Sequence, residues 1–542
     1  MSIVQQHTIY LNDNHFISEY QPENSTLGSG AYSSKYSQYF LGTHCVDDVG
    51  FFYCAATTGR FGGKYYPPSV LIRSISKLTQ TGQVIFTKDF NSIYPSINRM
   101  YFLDNHIYAI GYHTATYDSS GNNVGADAMI IKLTTDLDIV WFRLFGNNDT
   151  TTDYENFDGL AIDSSNNVYV VGEGTTYTGS TPGASAILKY NSSGTLQWKK
   201  DLKYQTGNNN TSEAVYANNI HVDSNNGVYV TGSVIGGGGG NKYSGTPSCN
   251  NSRWRSLQIK LDSSSSVTWR KSRRAQQTVN TGGPSDYTGC YSQYGGSNGT
   301  SGLDSNGNLY HAFSNWQLGY TIGDQNFRGY GDSFIKRNSS GVLQWEKCWF
   351  VNHNTEGYNG SSITGIVQQL QFDADDNIYL CSQSGIVSGQ MDRPIILMKF
   401  NSSGVNQWVR RITRTNLDST NRAPYPKAFK INKEKKYFTI SGNMDISNPS
   451  PDNVYRGFLL KLPLDGSKTG TYGDWTYAAE TDFTFNTKYP DNSGHDITGV
   501  DTTTNITTYS TSYIDDRHTL SANNITLSTG SIPGKNHVEY VP

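Results

Sequence analysis

The chain has 542 residues, with 42 Lys and Arg against 45 Asp and Glu, a formal charge of −3 and 16% charged residues. That balance argues against a nucleic-acid binder working by bulk charge, and the lack of any apolar run of ~18 residues argues against a membrane-spanning helix. Glycine at 55 positions, tyrosine at 38 and aromatics at 13% point to a turn-dense, β-rich chain.

The first thirty residues carry neither a basic n-region nor an apolar h-region, so no secretory leader is expected and synthesis and folding in a cytosol are. Within them HTIYLNDNHFISEY (7–20) reads as a hairpin. From residue 36 onward the sequence repeats. One unit runs GLAIDSSNNVYVVGEG (159–174) and then SAILKYNSSGTLQWKKDL (185–202). Its echoes include NIHVDSNNGVYVTGSV from 219, GLDSNGNLYHAFS from 302 and LQFDADDNIYLCSQ from 370.

A fixed spacing sets the register. A lysine precedes a large aromatic by nine residues in Lys77/Phe86, Lys132/Trp141, Lys189/Trp198, Lys260/Trp269, Lys336/Trp345 and Lys399/Trp408. A seventh copy, Lys461/Trp475, is stretched by five residues. The steps average about 65 residues, which suits four strands with long loops on one side. Alternating apolar residues up to the Asp form strand A, and a SNN or SNG turn leads into strand B. A variable loop reaches strand C, and NSSG turns the chain into strand D.

These units predict an all-β, seven-bladed β-propeller of four-stranded antiparallel blades at about 36–90, 91–146, 147–204, 205–275, 276–351, 352–415 and 416–485. Residues 1–35 form an N-terminal segment available for ring closure, and 486–542 supply closing strands. The stretch GHDITGVDTTTNITTYSTSY (494–513) again has the look of an A–B pair, so an eighth blade closed by both termini is the alternative. The repeated lysine and aromatic are expected to be structural, the lysine stem lying beside an aromatic that covers part of the next sheet. A catalytic lysine is needed once, not seven times.

The strand pair D-x-x-x-N-x-Y followed by K-x-N-x-x-G-x-x-x-W, over roughly 36–513, resembles the SBBP-type seven-bladed propeller repeats of bacteria and phages, which are related to PQQ-like propellers. The resemblance implies the fold and leaves the activity open, because that family includes secreted, surface and virion-associated proteins.

Motifs of chemistry are sparse. Asp163-x-Ser165-x-Asn167, Asp304-x-Asn306-x-Asn308 and Asp373-x-Asp375-x-Asn377 imitate the start of a calcium loop, but no acid follows at position 12 and a hydrogen-bonded turn explains them better. Gly295-x-Ser297-x-Gly299 matches a nucleophile elbow only formally, since no strand–helix context surrounds it. The run Gly236–Gly240 precedes no helix that could cradle a phosphate. Six cysteines are too few for a disulfide framework. Cys45, Cys54 and Cys381 lie in predicted strands as free thiols, and Cys249 and Cys290 in long loops are the one candidate bridge. No metal site, cofactor or enzyme signature is expected.

The variable lengths fall on the face of the B–C and D–A connections: 233–255, 276–300, 315–332, 352–362 and 443–456. These carry Tyr243, Trp254, Tyr287, Tyr291, Trp316, Tyr320, Tyr330, Tyr358 and Tyr455 among Gly, Ser and Asn, a mixture suited to sugar rings or a protein partner. A basic group, Arg253, Arg255, Arg270, Lys271, Arg273, Arg274, Arg410, Arg411 and Arg414, is expected on solvated edge strands, with docking of an acidic partner or anionic polysaccharide as the alternative. The functional expectation is a non-enzymatic virion protein of a bacteriophage, tail or fibre-associated, binding host-surface polysaccharide or another virion protein, with no nucleic acid and no membrane span. A bacterial surface or secreted adhesin and a polysaccharide-degrading enzyme with dispersed carboxylates are the alternatives.

Overall fold

Strands follow one another with almost no interruption, beginning with β1 (Ile3–Asn12) and β2 (His15–Pro22). Blade 1 is β3 (Gln38–Val46), β4 (Phe52–Arg60), β5 (Ser69–Leu78) and β6 (Val84–Asp89). Blade 2 is β7 (Pro95–Leu103), β8 (His106–Thr114), β9 (Ala126–Thr134) and β10 (Ile139–Phe145). Blade 3 is β11 (Asn156–Ile162), β12 (Val168–Thr175), β13 (Ala184–Tyr190) and β14 (Leu196–Tyr204). Blade 4 is β15 (Ala214–Val222), β16 (Val228–Gly237), β17 (Ser252–Leu261) and β18 (Val267–Arg274). Blade 5 is β19 (Thr300–Leu303), β20 (Leu309–Ile322), β21 (Gln325–Arg337) and β22 (Leu343–Val351). Blade 6 is β23 (Gln369–Phe372), β24 (Ile378–Gln383), β25 (Ile395–Phe400) and β26 (Asn406–Arg414). Blade 7 takes β27 (Pro424–Asn432), β28 (Tyr437–Asp445) and β29 (Tyr455–Pro463). Five short strands follow: β30 (Gly470–Tyr472), β31 (Trp475–Ala479), β32 (Phe483–Asn486), β33 (Val500–Thr502) and β34 (Ile506–Tyr509).

The structure is a computed structural model that describes residues 3–12, 15–22, 38–60, 69–90, 95–114, 126–146, 155–175, 184–204, 214–237, 252–274, 299–322, 325–351, 369–383, 394–414, 424–445, 455–480, 483–486, 500–502 and 506–509. The chain is an all-β propeller of seven four-stranded antiparallel blades, with no helix among the described residues. It divides into two units. Unit 1 takes Met1–Phe145, Ile412–Ala478 and Asp515–Pro542, and unit 2 takes Gly146–Arg411 and Ala479–Ile514. Blades 7, 1 and 2 belong to unit 1, and blades 3 to 6 belong to unit 2 apart from the end of β26.

Within each unit the first strand of a blade touches the first strand of the next, β27–β3–β7 in unit 1 and β11–β15–β19–β23 in unit 2. These A strands are therefore the innermost. Between the sheets lie apolar layers such as Ile75, Met100, Ile107, Met129 and Phe142 in unit 1, and Ile187, Val230, Leu257 and Ile259 in unit 2.

Blade 7 departs from the sequence expectation. Its fourth strand is not the segment around Trp475 but the N-terminal β2, which pairs antiparallel with β29, and β1 pairs outside β2. The register places Phe16 opposite Lys461, the place that Phe86 takes opposite Lys77 and Trp198 takes opposite Lys189. Phe16 is the seventh aromatic of the series, and the pairing Lys461/Trp475 is corrected. An aromatic before residue 36 escapes any search for a nine-residue interval, because strand pairing recognises register and not chain distance. Strands β1 and β2 thus belong to blade 7, and the described strands make seven blades.

A buried ionic cluster fixes β2 in place. Glu19 accepts from Arg414 Nε at 2.8 Å, Arg456 at 3.2 Å and Trp475 Nε1 at 2.8 Å, and Arg414 also reaches Asp474 at 3.1 Å. Burial works against the charge on Glu19, but the Arg414 hydrogen bond and charge outweigh it and hold the carboxyl below its usual range. Arg414 is consequently buried, not part of a solvated edge. Trp475, with 1% of its surface exposed, acts as a donor to this cluster.

The chain beyond residue 482 adds fifth strands to blades already complete. In unit 2, β32 pairs with β22, β33 with β18 and β34 with β14, passing blades 5, 4 and 3 in reverse order. Blade 6 likewise continues past β26 with β31 and β30. Each addition covers a row of backbone donors and acceptors that an outer strand otherwise leaves open.

Candidate functional site

Each blade has two unlike ends. At the end formed by the A–B and C–D turns, one side-chain group recurs. In blade 3 Asp163 Oδ1 accepts from the backbone N–H of Ser165 and Asn167, both at 2.9 Å. Its Oδ2 accepts from Asn167 Nδ2 at 2.8 Å and from the Tyr169 hydroxyl at 3.0 Å. Lys189 Nζ lies 4.0 Å from the same carboxylate and 4.9 Å from the Tyr169 ring centre, and Tyr169 meets Trp198 edge-on at 6.0 Å. The same four residue types assemble as Asp223, Tyr229, Lys260 and Trp269, as Asp304, Tyr310, Lys336 and Trp345, and as Asp373, Tyr379, Lys399 and Trp408.

Four protein donors occupy the Asp163 carboxylate, which suits the hydrogen-bonded turn and leaves little for a calcium ion. Burial opposes the charge on Asp163, but the bonds from Asn167 and Tyr169 overcome it and lower its pKa. Each lysine, expected beside the strand D aromatic, ends over the strand B tyrosine as a cation–π pair.

In blades 4, 5 and 7 the aromatic of strand D packs onto the following blade of the same unit. Gly341, in the C–D turn of blade 5, has φ +80°, and a Cβ there would lie 2.8 Å from the Trp269 ring of blade 4. The turn answers with a bond: Ser339 O accepts from Trp269 Nε1 at 3.1 Å. Blades 7 and 1 use the same joint, because a Cβ on Gly82 would lie 2.6 Å from Phe16 and Lys461 Nζ donates to Gln80 O at 3.2 Å. Lysine, asparagine, glycine and tryptophan therefore serve blade assembly.

Three blades vary the pattern. Blade 1 keeps Asp47 and Tyr53 but has Phe86 for the tryptophan, and its Lys77 lies 3.8 Å from Asp136. Blade 2 replaces the Asp turn by Asp104-Asn105, both with left-handed φ (49° and 56°), so Lys132 keeps its tyrosine, Tyr108, and Trp141 without that carboxylate. Blade 7 has Asn432 where the others have Asp. Burial and then the charge of Lys435 push Lys461 down to about 8.

The other end carries the lengthened hairpins. The β16–β17 ladder continues to Gly237 opposite Ser252, and the β20–β21 ladder to Ile322 opposite Gln325, whereas β12–β13 stops at Thr175 opposite Ala184. Five of the aromatics expected in loops lie in strands instead: Trp254 in β17, Trp316 and Tyr320 in β20, Tyr330 in β21 and Tyr455 at the start of β29. The Gly- and Tyr-rich segments hid these strands, because two long strands in one hairpin satisfy each other's backbone whatever their side-chain propensities. Trp316 and Gln317 interrupt the ladder between Asn315 and Leu318. Tyr243, Tyr287, Tyr291 and Tyr358, together with Cys249 and Cys290, lie outside the described residues. Cys45, Cys54 and Cys381 are buried free thiols.

The inner strands hold polar groups that the sequence did not single out. A β-bulge recurs in strand A at Gly42, Asn98, Asp158, Asn218 and Lys427. Opposite the bulge in blade 3 stands Gly172, where a Cβ would lie 1.8 Å from Asn156 O, which explains the glycine ending VYVVG. A bulge turns its extra residue away from the pleat, and such residues recur beside binding sites.

In unit 2 the polar side chains largely close on one another. His221 Nε2 and Thr231 Oγ1 both reach Ser301 Oγ, at 2.8 and 2.7 Å, and Gln258 bridges His311 and the buried Arg337. Burial holds His311 neutral, with its pKa at about 3. Glu173, beside Asp158, is raised to about 7 by burial and by that neighbour's charge. Among the described residues no group of three or more His, Cys, Asp or Glu could hold a metal ion, and no helix is long and apolar enough to cross a membrane.

No family model and no curated protein matches this chain. Among solved structures it is similar to the polysaccharide lyase Uly1, at 10% identity and a TM-score of 0.45 over 86% of this chain and 100% of that one. A protein of unknown function from Dyadobacter fermentans is similar at 8% identity and a TM-score of 0.36, over 85% of this chain and 99% of that one. The subtype N11 neuraminidase-like protein of A/flat-faced bat/Peru/033/2010 (H18N11) is similar at 9% identity and a TM-score of 0.32, over 88% and 96% of the two chains. None of these likenesses bears on this chain's chemistry.

Proposed function

We propose that this protein is a non-enzymatic recognition module that binds a glycan or a protein through the end of the blades where the B–C hairpins are lengthened. The observation that carries the reading is the asymmetry between blade ends. At the turn end Asp, Tyr, Lys and Trp are engaged with one another and with the next blade. At the hairpin end β16–β17 and β20–β21 outrun their neighbours and bring sequence rich in Trp, Tyr, Gly and Asn onto rigid strands. Rigid aromatic-rich segments with adaptable polar neighbours suit recognition at small entropic cost.

The repeat signature, similar to SBBP-type propeller repeats of bacteria and phages, supports a finer reading: a virion component of a bacteriophage, tail or fibre-associated, whose ligand is host-surface polysaccharide or a neighbouring virion protein. A bacterial surface adhesin is the competing assignment. Binding of the full chain to arrayed surface polysaccharides tests the module, with loss on Trp316→Ala or Trp254→Ala expected. Release of new reducing ends from a bound polysaccharide would overturn the non-enzymatic part. Mass spectrometry of purified particles tests the virion part, and absence of the chain from them would remove it.

A further inference from the structure

In the recurring turn a carboxylate is held between a tyrosine hydroxyl and a lysine. The strand B tyrosine donates to Oδ2 of Asp163 at 3.0 Å, of Asp304 at 3.1 Å and of Asp373 at 3.0 Å. The strand C lysine lies 4.0, 3.5 and 3.8 Å from the same three oxygens. Tyrosine and lysine are ladder partners each time, Tyr169 with Lys189, Tyr310 with Lys336 and Tyr379 with Lys399.

Blade 2 keeps this frame. Tyr108 is the ladder partner of Lys132, whose Nζ lies 5.3 Å from the Tyr108 ring centre, against 5.1 Å for Lys399 and Tyr379. Tyr108 meets Trp141 at 6.2 Å and 65°, against 6.0 Å and 64° for Tyr169 and Trp198. The ladders match Phe102 and Ile107 to Ile162 and Val168, so the position of Asp163 falls to Leu103. Leu103 does not fill the carboxylate's place. It is 38% exposed, whereas Asp163, Asp304 and Asp373 are 6%, 7% and 8% exposed.

Two donors are left over. The Tyr108 hydroxyl is buried without a hydrogen-bond partner, and among the described residues Lys132, itself buried, makes neither a hydrogen bond nor an ion pair. Stranding such groups away from water is costly, and a third group that accepts from both removes the cost. Burial raises the Tyr108 hydroxyl to about 12 and lowers Lys132. The charge of Asp104, exposed in the turn, adds to the first effect and opposes the second, but no bond joins Asp104 to either side chain. Blade 7 also lacks the aspartate, yet an amide takes its position: Asn432 Oδ1 accepts from the N–H of Lys435 at 2.8 Å.

We infer that the Tyr108 hydroxyl and Lys132 Nζ form a binding site for one carboxylate group brought from outside the blade, at the position equivalent to Asp163 Oδ2 in blade 3. Hydroxyl and ammonium both donate, a carboxylate only accepts, and both bonds are charge-assisted. Leu103 stands exposed beside the site and offers apolar contact to the carbon chain that carries the group. The ligand class is a carboxylic acid, either a small free acid or an Asp or Glu side chain of another polypeptide. The inference goes beyond the hairpin-end reading and shares no residue with it, so either can fail alone.

The full chain is followed by thermal unfolding and calorimetric titration with sodium acetate and with poly-L-glutamate, against sodium chloride at matched ionic strength. A saturable stabilisation above that of chloride is expected. Response to acetate assigns a small acid, and response to poly-L-glutamate alone assigns a polypeptide side chain. Tyr108→Phe is expected to weaken binding about tenfold, as loss of a hydrogen bond to a charged group does. Asp104→Asn removes a repelling charge at a left-handed φ of 49° that asparagine tolerates, and is expected to tighten binding. Leu103→Asp restores the carboxylate of the other blades, and is expected to raise the midpoint in chloride and abolish the response to acetate and poly-L-glutamate. Both of these positions are exposed, so they report on the site even if Tyr108→Phe does not fold. The inference is overturned if neither carboxylate exceeds chloride, if Tyr108→Phe binds as the parent does, or if Leu103→Asp keeps the full response.

Discussion

At the scale of single residues, the repeated Asp, Tyr, Lys and aromatic are one interlocked device. Removing the acceptor leaves several donors without partners at once. Asp304→Ala would strip bonds from the N–H of Asn306 and Asn308, the Asn308 amide and the Tyr310 hydroxyl. A loss of about 2–3 kcal/mol is expected from chemical denaturation, since buried donors are costly to strand. Loss of under ~0.5 kcal/mol would mean the carboxylate is incidental. Gly341→Ala meets two obstacles, a left-handed φ of +80° and the Trp269 ring 2.8 Å from the new Cβ. We expect a cost of about 1–3 kcal/mol, measurable by the same titration. The motif was legible because its members repeat at fixed intervals. The purpose of the lysine was not, because interval alone does not separate contact with the strand D aromatic from contact with the strand B tyrosine.

At the scale of elements, two terminal segments do work that their sequences do not announce. Strand β2 completes blade 7 with Phe16 and Glu19 as its anchors, both nearly fully buried. Glu19→Gln leaves Arg414 and Arg456 beside a neutral amide, and truncating one member of a buried ionic cluster costs about 3–5 kcal/mol. Faster hydrogen exchange in β29 than in β28 would accompany it, and unchanged exchange would show that β2 does not depend on this cluster. Removing residues 481–542 uncovers β14, β18 and β22. Amide exchange in those three strands is expected to rise while β6 and β10, already the end strands of their sheets, stay unchanged. Uniform exchange across all five would argue against edge protection. These strands are short, three or four residues each, and their pairing depends on a partner edge built elsewhere.

At the scale of the whole molecule, the repeated tyrosine makes stability depend on pH in a defined sense. Burial, aided in all six cases by a neighbouring Asp, raises the hydroxyls of Tyr53, Tyr169, Tyr229 and Tyr310 well above the usual value, and those of Tyr108 and Tyr437 to about 12. The unfolded chain then ionises first, near pH 10, so the folded state binds more protons there and stability falls as pH rises above ~10. On the acid side His44 and His311, held neutral down to about 3, make the unfolded chain the stronger proton binder below 6.5, so stability falls as pH falls through that value. Glu173, raised to about 7, works in the opposite sense between 4.5 and 7 and offsets one of the two. Lys461, lowered to about 8, leaves the folded chain with fewer bound protons than the unfolded one above that pH, so midpoints of thermal unfolding from pH 5 to 11.5 are expected to reach their maximum between about 8 and 10. They should drop steeply above it, and a flat profile beyond pH 10 would contradict the burial of the tyrosines.

The amino-acid sequence by itself determined the low-charge, turn-rich all-β character, the period of about 65 residues and the seven blades. It could do so because the turns, the strand alternation and the lysine–aromatic interval are local, and local chemistry survives reading in one dimension. Only the tertiary structure decided that Phe16 and not Trp475 faces Lys461, and that the C-terminal strands run along outer edges. Each of these depends on which edges come to face one another. Burial and register, acting after the blades assemble, choose among partners that the linear order leaves equivalent.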